Sequence, residues 1–468
     1  MLKKYSLIAV VGILVLMAAS PARELVGSRK TKKTARENNP RGMVYIKRGT
    51  FMMGNNDQPL LGSISDKSIN VSVDAFWMDE AEITNNQYRQ FVDWVRDSLA
   101  MRALIRSNAA GYEKLTTYKD REYPLDELTP EELEKIPLNW KAKIPWKSKN
   151  EDDSIDSALS FLFYDDLNNF NKQRQSNPTK LYYRYTWIDF DQAALRKNRY
   201  NVERGSFPPG ASVKIDSSYI DASGTLTHVT FERPLVSRND LYSSKIVAIY
   251  PDTMVWMRDL QYSFNEPRMR LYFSHHNYDN YPVVGVTWEQ ATAFCYWRTA
   301  LRATGSKEQF EEYRLPTSIE WEYAARGGRK MGMYPWGGPY TRDSKGCFLA
   351  NFKPMRGSYG YDTGTTTVKV RSYEPNDYGL YDMAGNVAEW TATPYMQTMN
   401  STIMDMNPDY RYNARADDPD ILKRKIVKGG SWKDIAYFLQ CGINTFEYQF
   451  ESRNYIGFRC VRSYYAAE

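Results

Sequence analysis

Tyr378-Gly379-Leu380-Tyr381-Asp382-Met383-Ala384-Gly385-Asn386-Val387-Ala388-Glu389-Trp390 is the stretch that decides the fold. It follows neither the alternation of a strand nor the 3.6-residue period of a helix. Gly379, Gly385 and Asn386 interrupt it, yet Tyr381, Met383, Val387 and Trp390 are too apolar for an idle loop. Such a loop must fold back into a core, and the backbone polar groups it buries need side chains or an ion as partners. Asn386 and Glu389 offer hard oxygens beside carbonyls freed by glycine, which is calcium chemistry. The same two residues can instead cap the loop and bond its backbone, a common use of such pairs in turns. Spacing leaves both readings open.

The chain around this stretch has 468 residues, which implies one domain with a large insertion, or two domains. A hydrophobic fraction of 42% supports a sizeable core. The 36 tyrosines favour broad, partly wet contact surfaces. A net charge of +6 is mild for this length and argues against a nucleic-acid partner. Residues 1–22 read as a signal peptide or an uncleaved N-terminal anchor, with Lys3 and Lys4 ahead of an apolar run from Tyr5 to Ala19. Residues 23–41 form a polar, basic tether, which is a solvated linker or a segment for an anionic membrane surface.

Three helix starts carry the capping-box pattern, in which a Thr and a Glu or Gln three residues on satisfy each other's backbone donors. They are Thr84 with Gln87, Thr287 with Gln290 and Thr317 with Glu320, the last helix ending at Gly327-Gly328. Thr129-Pro130-Glu131-Glu132 is a fourth start, with Pro at the first helical position. Strands are expected at 181–190, 213–215, 225–231 and 246–250.

Gly385-Asn386-Val387-Ala388-Glu389-Trp390 resembles the signature of the formylglycine-generating-enzyme, or sulfatase-modifying, family. Further family marks stand in order: Gly42-Met43-Val44 to Met53-Gly54, Glu82-Ile83-Thr84-Asn85 to Phe91, and Pro282 to Trp288. Arg314-Leu315-Pro316-Thr317 to Gly328, Gly429-Gly430-Ser431-Trp432 and Gly457-Phe458-Arg459-Cys460 follow. The resemblance implies an irregular, loop-rich α+β fold of the C-type-lectin-like kind. It covers residues 42–96 and 280–468, and makes 97–279 an inserted subdomain and candidate partner surface.

The resemblance also implies two structural calcium sites, one from Asn386, Val387 and Glu389, the other from Asn351, Phe352, Asp362 and Gly364. Four cysteines in an exported chain allow three pairings. Family position pairs Cys295 with Cys460 and leaves Cys347 with Cys441. The family's oxidase needs two thiolates for copper shortly after the Gly-Gly-Ser motif, and soft sulfur cannot be replaced there by oxygen. Between Gly430 and Cys441 this chain has Ser431, Asp434 and Ala436 but no cysteine. No copper and no catalytic residue is therefore expected. The related iron branch needs spaced histidines, whereas the three present are His228 and the adjacent His275 and His276.

Within the insertion, Met254-Val255-Trp256-Met257-Arg258-Asp259 and Tyr262-Ser263-Phe264-Asn265-Glu266-Pro267 resemble the GldK/PorK gliding-motility family. So do Phe76-Trp77-Met78-Asp79 and the residues from Glu82 to Val92. That resemblance implies a non-catalytic ring subunit of the type IX secretion system, in the periplasm at the outer membrane. Its implied contacts are a GldN/PorN-like partner, further copies of itself and outer-membrane proteins of the same machinery. Such proteins are lipoproteins, but Ser20 stands where the acylated cysteine belongs, and no cysteine precedes Cys295. The other readings are a residual oxidoreductase or transferase, and a glycan- or peptidoglycan-binding module.

Overall fold

The computed structural model describes residues 40–54, 68–107, 114–117, 136–146, 154–164, 175–220, 226–260, 266–303, 311–354, 360, 362–397 and 403–464. The segment 1–22, most of the tether and the helix start at Thr129-Pro130 lie outside them.

All three described capping boxes open helices. α1 spans Asn85–Ser107, α2 Trp288–Ala303 and α3 Ser318–Ala325. Thr84 donates its N–H to Gln87 at 2.9 Å and receives that of Gln87 on its hydroxyl at 3.3 Å. Thr287 and Gln290 repeat this at 2.9 and 3.2 Å, and Thr317 and Glu320 at 2.9 and 3.1 Å. Each box satisfies donors that a helix start leaves open. α3 ends where Gly327 and Gly328 take φ of +59° and +82°, which residues with a Cβ rarely adopt. α1 continues without a break past residue 97, where the family marks stop.

Two small four-stranded sheets follow. In the first, the order is Met43–Ile46, Phe76–Asp79, Val461–Ser463 and Tyr313–Arg314, so strands from both ends of the described chain share one sheet. Met78 pairs with both Val44 and Val461. The second sheet runs Thr445–Tyr448, Arg424–Lys428, Ala388–Pro394 and Ile456–Gly457, with the last pairing parallel. The deciding stretch is thus a loop that becomes a strand at Ala388. All seven strand residues are buried, so no alternation marks it in the sequence.

The segment between α1 and α2 contributes two antiparallel strand pairs, the second lying within the long connection of the first. Tyr182–Ile188 pairs with Tyr242–Ala248, and Ser212–Ile220 with Leu226–Pro234, which accounts for the four expected strands. The first pair packs on the helices. Tyr185 stacks on Tyr296 of α2 at 4.7 Å, and Gln290 donates to the carbonyls of Ala248 and Tyr250 at 2.8 and 3.0 Å. Tyr88 of α1 donates its hydroxyl to the Ile249 carbonyl at 2.8 Å. Tyr88, Phe91, Phe294, Trp297 and Phe458 form the aromatic centre of the largest core cluster. Burying side chains of this size stabilises by roughly 1.5–3 kcal/mol each. The fold is irregular α+β, with small sheets and long loops.

Candidate functional site

The loop before Ala388 is held by residues far away in sequence. Gly385 takes φ +76°, and a Cβ there would lie 2.4 Å from the Asn351 carbonyl, so only glycine fits. Asn386 adopts φ +62°, a left-handed conformation that Asn tolerates better than most residues. Its backbone N–H donates to Asn351 at 2.8 Å, and its carbonyl accepts from Trp432 at 2.9 Å. The loop therefore clamps the 351 and 430 segments together.

The side chains that promised calcium are committed to protein donors. Asn386 Nδ2 donates to Glu82 at 2.6 Å, while its Oδ1 accepts from the Val368 N–H at 2.9 Å and from Asn351 Nδ2 at 3.3 Å. The Val387 N–H donates to Glu82 at 3.0 Å. Glu389 receives Arg459 on both oxygens, at 2.6–2.9 Å, and the Trp321 indole N–H at 2.8 Å. The carboxylate thus faces a buried guanidinium. In this arrangement the side-chain oxygens of Asn386 and Glu389 face protein donors.

The second expected set is similarly engaged. Asn351 Oδ1 accepts from the Gly364 N–H at 3.0 Å, and its Nδ2 donates to the Thr366 carbonyl at 2.8 Å. Asp362 accepts from the Phe348 N–H at 3.1 Å and lies 3.7 Å from the Arg342 guanidinium. Phe352 is buried against Phe348. Asn351 and Asp362 spend their oxygens on turn N–H groups, which is the capping use left open by the sequence. Among the described residues, no group of three or more His, Cys, Asp and Glu side chains is placed to hold a metal.

What the structure builds instead is a buried ionic lattice. Arg459 also donates to the carbonyls of Asp79 at 3.2 Å and Tyr381 at 2.9 Å. Asp79 pairs with Arg298 through two bonds of 2.7 and 2.8 Å and accepts the Cys460 N–H at 3.0 Å. Glu322 pairs with Arg326 at 2.8 Å and with Lys428 at 3.3 Å, and the Lys428 ammonium also donates to the carbonyls of Cys441 and Ile443. Two further carboxyls stand near Glu389 without a guanidinium of their own. Burial, reinforced by Asp382 and Glu389, pushes Glu82 well above the ordinary carboxylate range. Burial likewise pushes Asp382 up to about 6. One Asp382 oxygen accepts the Arg371 N–H at 2.7 Å, and the other is buried without a hydrogen-bond partner.

In the segment after Gly-Gly-Ser, Ser431 donates to Asp434 at 2.6 Å, and Leu439 is fully buried. Burial pushes the Cys441 thiol up to about 12, so it is protonated at neutral pH. All four cysteines are free. Cys295 and Cys460 are brought together, with sulfurs 3.4 Å apart in the core. The expected Cys347–Cys441 bridge is not formed. Cys347 is exposed in a turn fixed by Asp343, whereas Cys441 is sealed in a cluster with Met78, Ala325 and Val461. The histidines are scattered and bind local groups: His275 caps the turn at Asn277, and His276 faces Asp279.

Glu82, Asp382 and Arg459 are the site residues that sequence reasoning left without a role. Glu82 and Arg459 lie inside two of the quoted family marks, which was the available signal.

The pattern of the family described as the sulfatase-modifying factor enzyme 1-like domain matches residues 28–160 and 170–464 of the chain. The chain is a member of that family. It is 35% identical over 157 residues to the inactive C-alpha-formylglycine-generating enzyme 2 of Bos taurus, covering 33% of this chain and 40% of that protein. It is 32% identical over 188 residues to the formylglycine-generating enzyme of Mus musculus, covering 39% of this chain and 44% of that protein. The chain thus spans about two fifths of the length of these relatives. Among solved structures, PvdO from Pseudomonas aeruginosa aligns with a TM-score of 0.42 and 14% identity, covering 93% of this chain and 100% of that one.

Proposed function

We propose that this family member is a non-catalytic structural subunit, working in the ring of the type IX secretion and gliding machinery at the periplasmic face of the outer membrane. The observation that carries the non-catalytic half is the 430–441 segment. Where the oxidase needs two copper-binding thiolates, this chain places a Ser431–Asp434 hydrogen bond and a buried leucine. The GldK/PorK-like residues at 76–92 and 254–267 support the ring reading, with a GldN/PorN-like protein as partner. The segment between α1 and α2 supplies the surface, exposing Phe190, Tyr219, Val229, Phe231 and Tyr242. The test is co-purification from the cell envelope, with the segment 97–279 present or replaced by a short linker. A stoichiometric partner that is lost with the segment supports the reading. Partner-free recovery of the intact chain overturns it.

A second reading, glycan binding, is favoured by one surface feature. Tyr395, Phe446, Tyr448 and Phe450 form a row with successive ring centroids 4.6, 6.4 and 5.6 Å apart, under the Arg424 guanidinium. Retention on purified cell-wall material, abolished by Phe446→Ala with Phe450→Ala, would support it over the ring.

A further inference from the structure

A cleft of about 390 Å³ lies between a wall built from residues 187–195, Asp216 and Ser243 and the loop at 411–415. That volume falls within the range of small-molecule sites. Its two walls come from segments far apart in sequence, and both are anchored. Glu289 of α2 accepts Lys245, on the strand that carries Ser243 of the first wall, at 2.8 Å and Gln449 at 3.3 Å. Gln449 in turn holds the Ala414 carbonyl of the opposite wall at 2.9 Å, and the buried Lys425 ammonium holds that of Tyr412. The cleft is therefore a rigid, preformed concavity rather than a gap between loose loops.

Its chemistry is mixed. Asp189, Asp191 and Asp216 line one wall with Trp187, and Arg411 and Arg415 line the other. The existing neutralisation is incomplete. Arg415 is 3.5 Å from Asp189, and Arg411 pairs outward with Asp409 at 2.5 Å. Lys245 lies 3.9 Å from Asp216 but 2.8 Å from Glu289, and one Asp216 oxygen is buried without a hydrogen-bond partner. Three carboxylates against two guanidinium groups leave the lining one negative charge in excess. The complementary ligand carries two cationic groups, one anionic group and a short apolar stem to lie along the tryptophan.

We infer that this cleft binds a basic amino acid of the diamino-carboxylate class, free or as a chain terminus, with its carboxylate on Arg411 and Arg415 and its ammonium groups on the aspartates. No part of this inference rests on the ring reading. The test is calorimetric titration of the full chain with L-lysine, with Ala-Ala-Lys bearing a free carboxylate, and with cadaverine, which lacks the carboxylate. L-lysine or the tripeptide is expected to saturate with a Kd below about 1 mM, and cadaverine to bind at least about tenfold more weakly. Asp191→Asn, at the exposed rim where folding is not at stake, is expected to weaken binding by about tenfold, as is Arg411→Ala. A free amino acid that outbinds the tripeptide marks a metabolite site, and the reverse marks capture of a chain terminus. No saturable binding of either, or binding unchanged in both variants, overturns the inference.

Discussion

Glu389→Gln tests whether the centre of this fold is held by an ion pair. The Glu389 and Arg459 side chains are 1% and 0% exposed, so neither charge has water to fall back on. Gln keeps the shape and can still accept the Trp321 N–H, but it withdraws the negative charge and leaves the guanidinium buried and uncompensated. Removing one partner of such a pair costs about 3–5 kcal/mol. At roughly 2–4 °C per kcal/mol for a domain of 150–250 residues, the melting temperature should fall by on the order of 10 °C. The companion experiment is Glu389→Gln with Arg459→Met, which removes both charges together. Replacing a whole buried pair by neutral groups is often nearly neutral, so the double variant should recover much of the loss. Thermal denaturation of the wild type, both single variants and the double variant, with and without calcium, closes the cycle. A single-variant loss below about 1 kcal/mol, or a double variant as unstable as the sum of the singles, would refute the reasoning. A loss that appears only when calcium is present would refute it in favour of a metal role for Glu389.

Asp382 gives a prediction with a definite sign. Its folded value near 6 lies above the ordinary 3.8, so the folded chain binds the proton more tightly than the unfolded one. Its contribution is favourable below about pH 4 and is lost as pH rises through 6, a difference of roughly 3 kcal/mol. Asn tolerates the φ of +55° at this position, so Asp382→Asn should gain on the wild type progressively from about pH 4 to pH 6 and level off above about pH 7. A stability difference independent of pH would contradict the assignment. Excess EGTA should leave the melting temperature unchanged, because Asn386 and Glu389 are satisfied by protein groups; a drop of several degrees with calcium found by elemental analysis would reverse that reading. We also propose that Cys295 and Cys460 join under oxidising conditions. Alkylation and mass spectrometry should find them blocked and Cys347 reactive, and closing a loop with 165 residues between its ends should stabilise by about 4–5 kcal/mol. Free reactivity of all four thiols after oxidation would exclude the bridge.

Local features of the fold were legible in the sequence, and the reasons are local. A capping box depends on two side chains three residues apart, so Thr84, Thr287 and Thr317 announce their helices without help from the rest of the chain. The strand at Tyr182–Ile188 read correctly because aromatic and polar residues alternate along it. The strand beginning at Ala388 did not, because burial on both faces removes the alternation that marks a strand. The site was hardest to read. Glu389 meets Arg459 across 70 positions, Asp79 meets Arg298 across 219, and Asn386 meets Glu82 across 304. A carboxylate two or three residues from an asparagine looks like half a calcium site until the guanidinium that neutralises it is placed. Only the tertiary fold brings that partner in.

The most direct measurement of the central claim is the native mass of the chain extracted gently from the cell envelope, by sedimentation velocity. The account predicts a very large particle containing many copies of this chain and a stoichiometric second protein, with no copper and no oxygen uptake. A monomer free of partners that binds copper and consumes oxygen would contradict it.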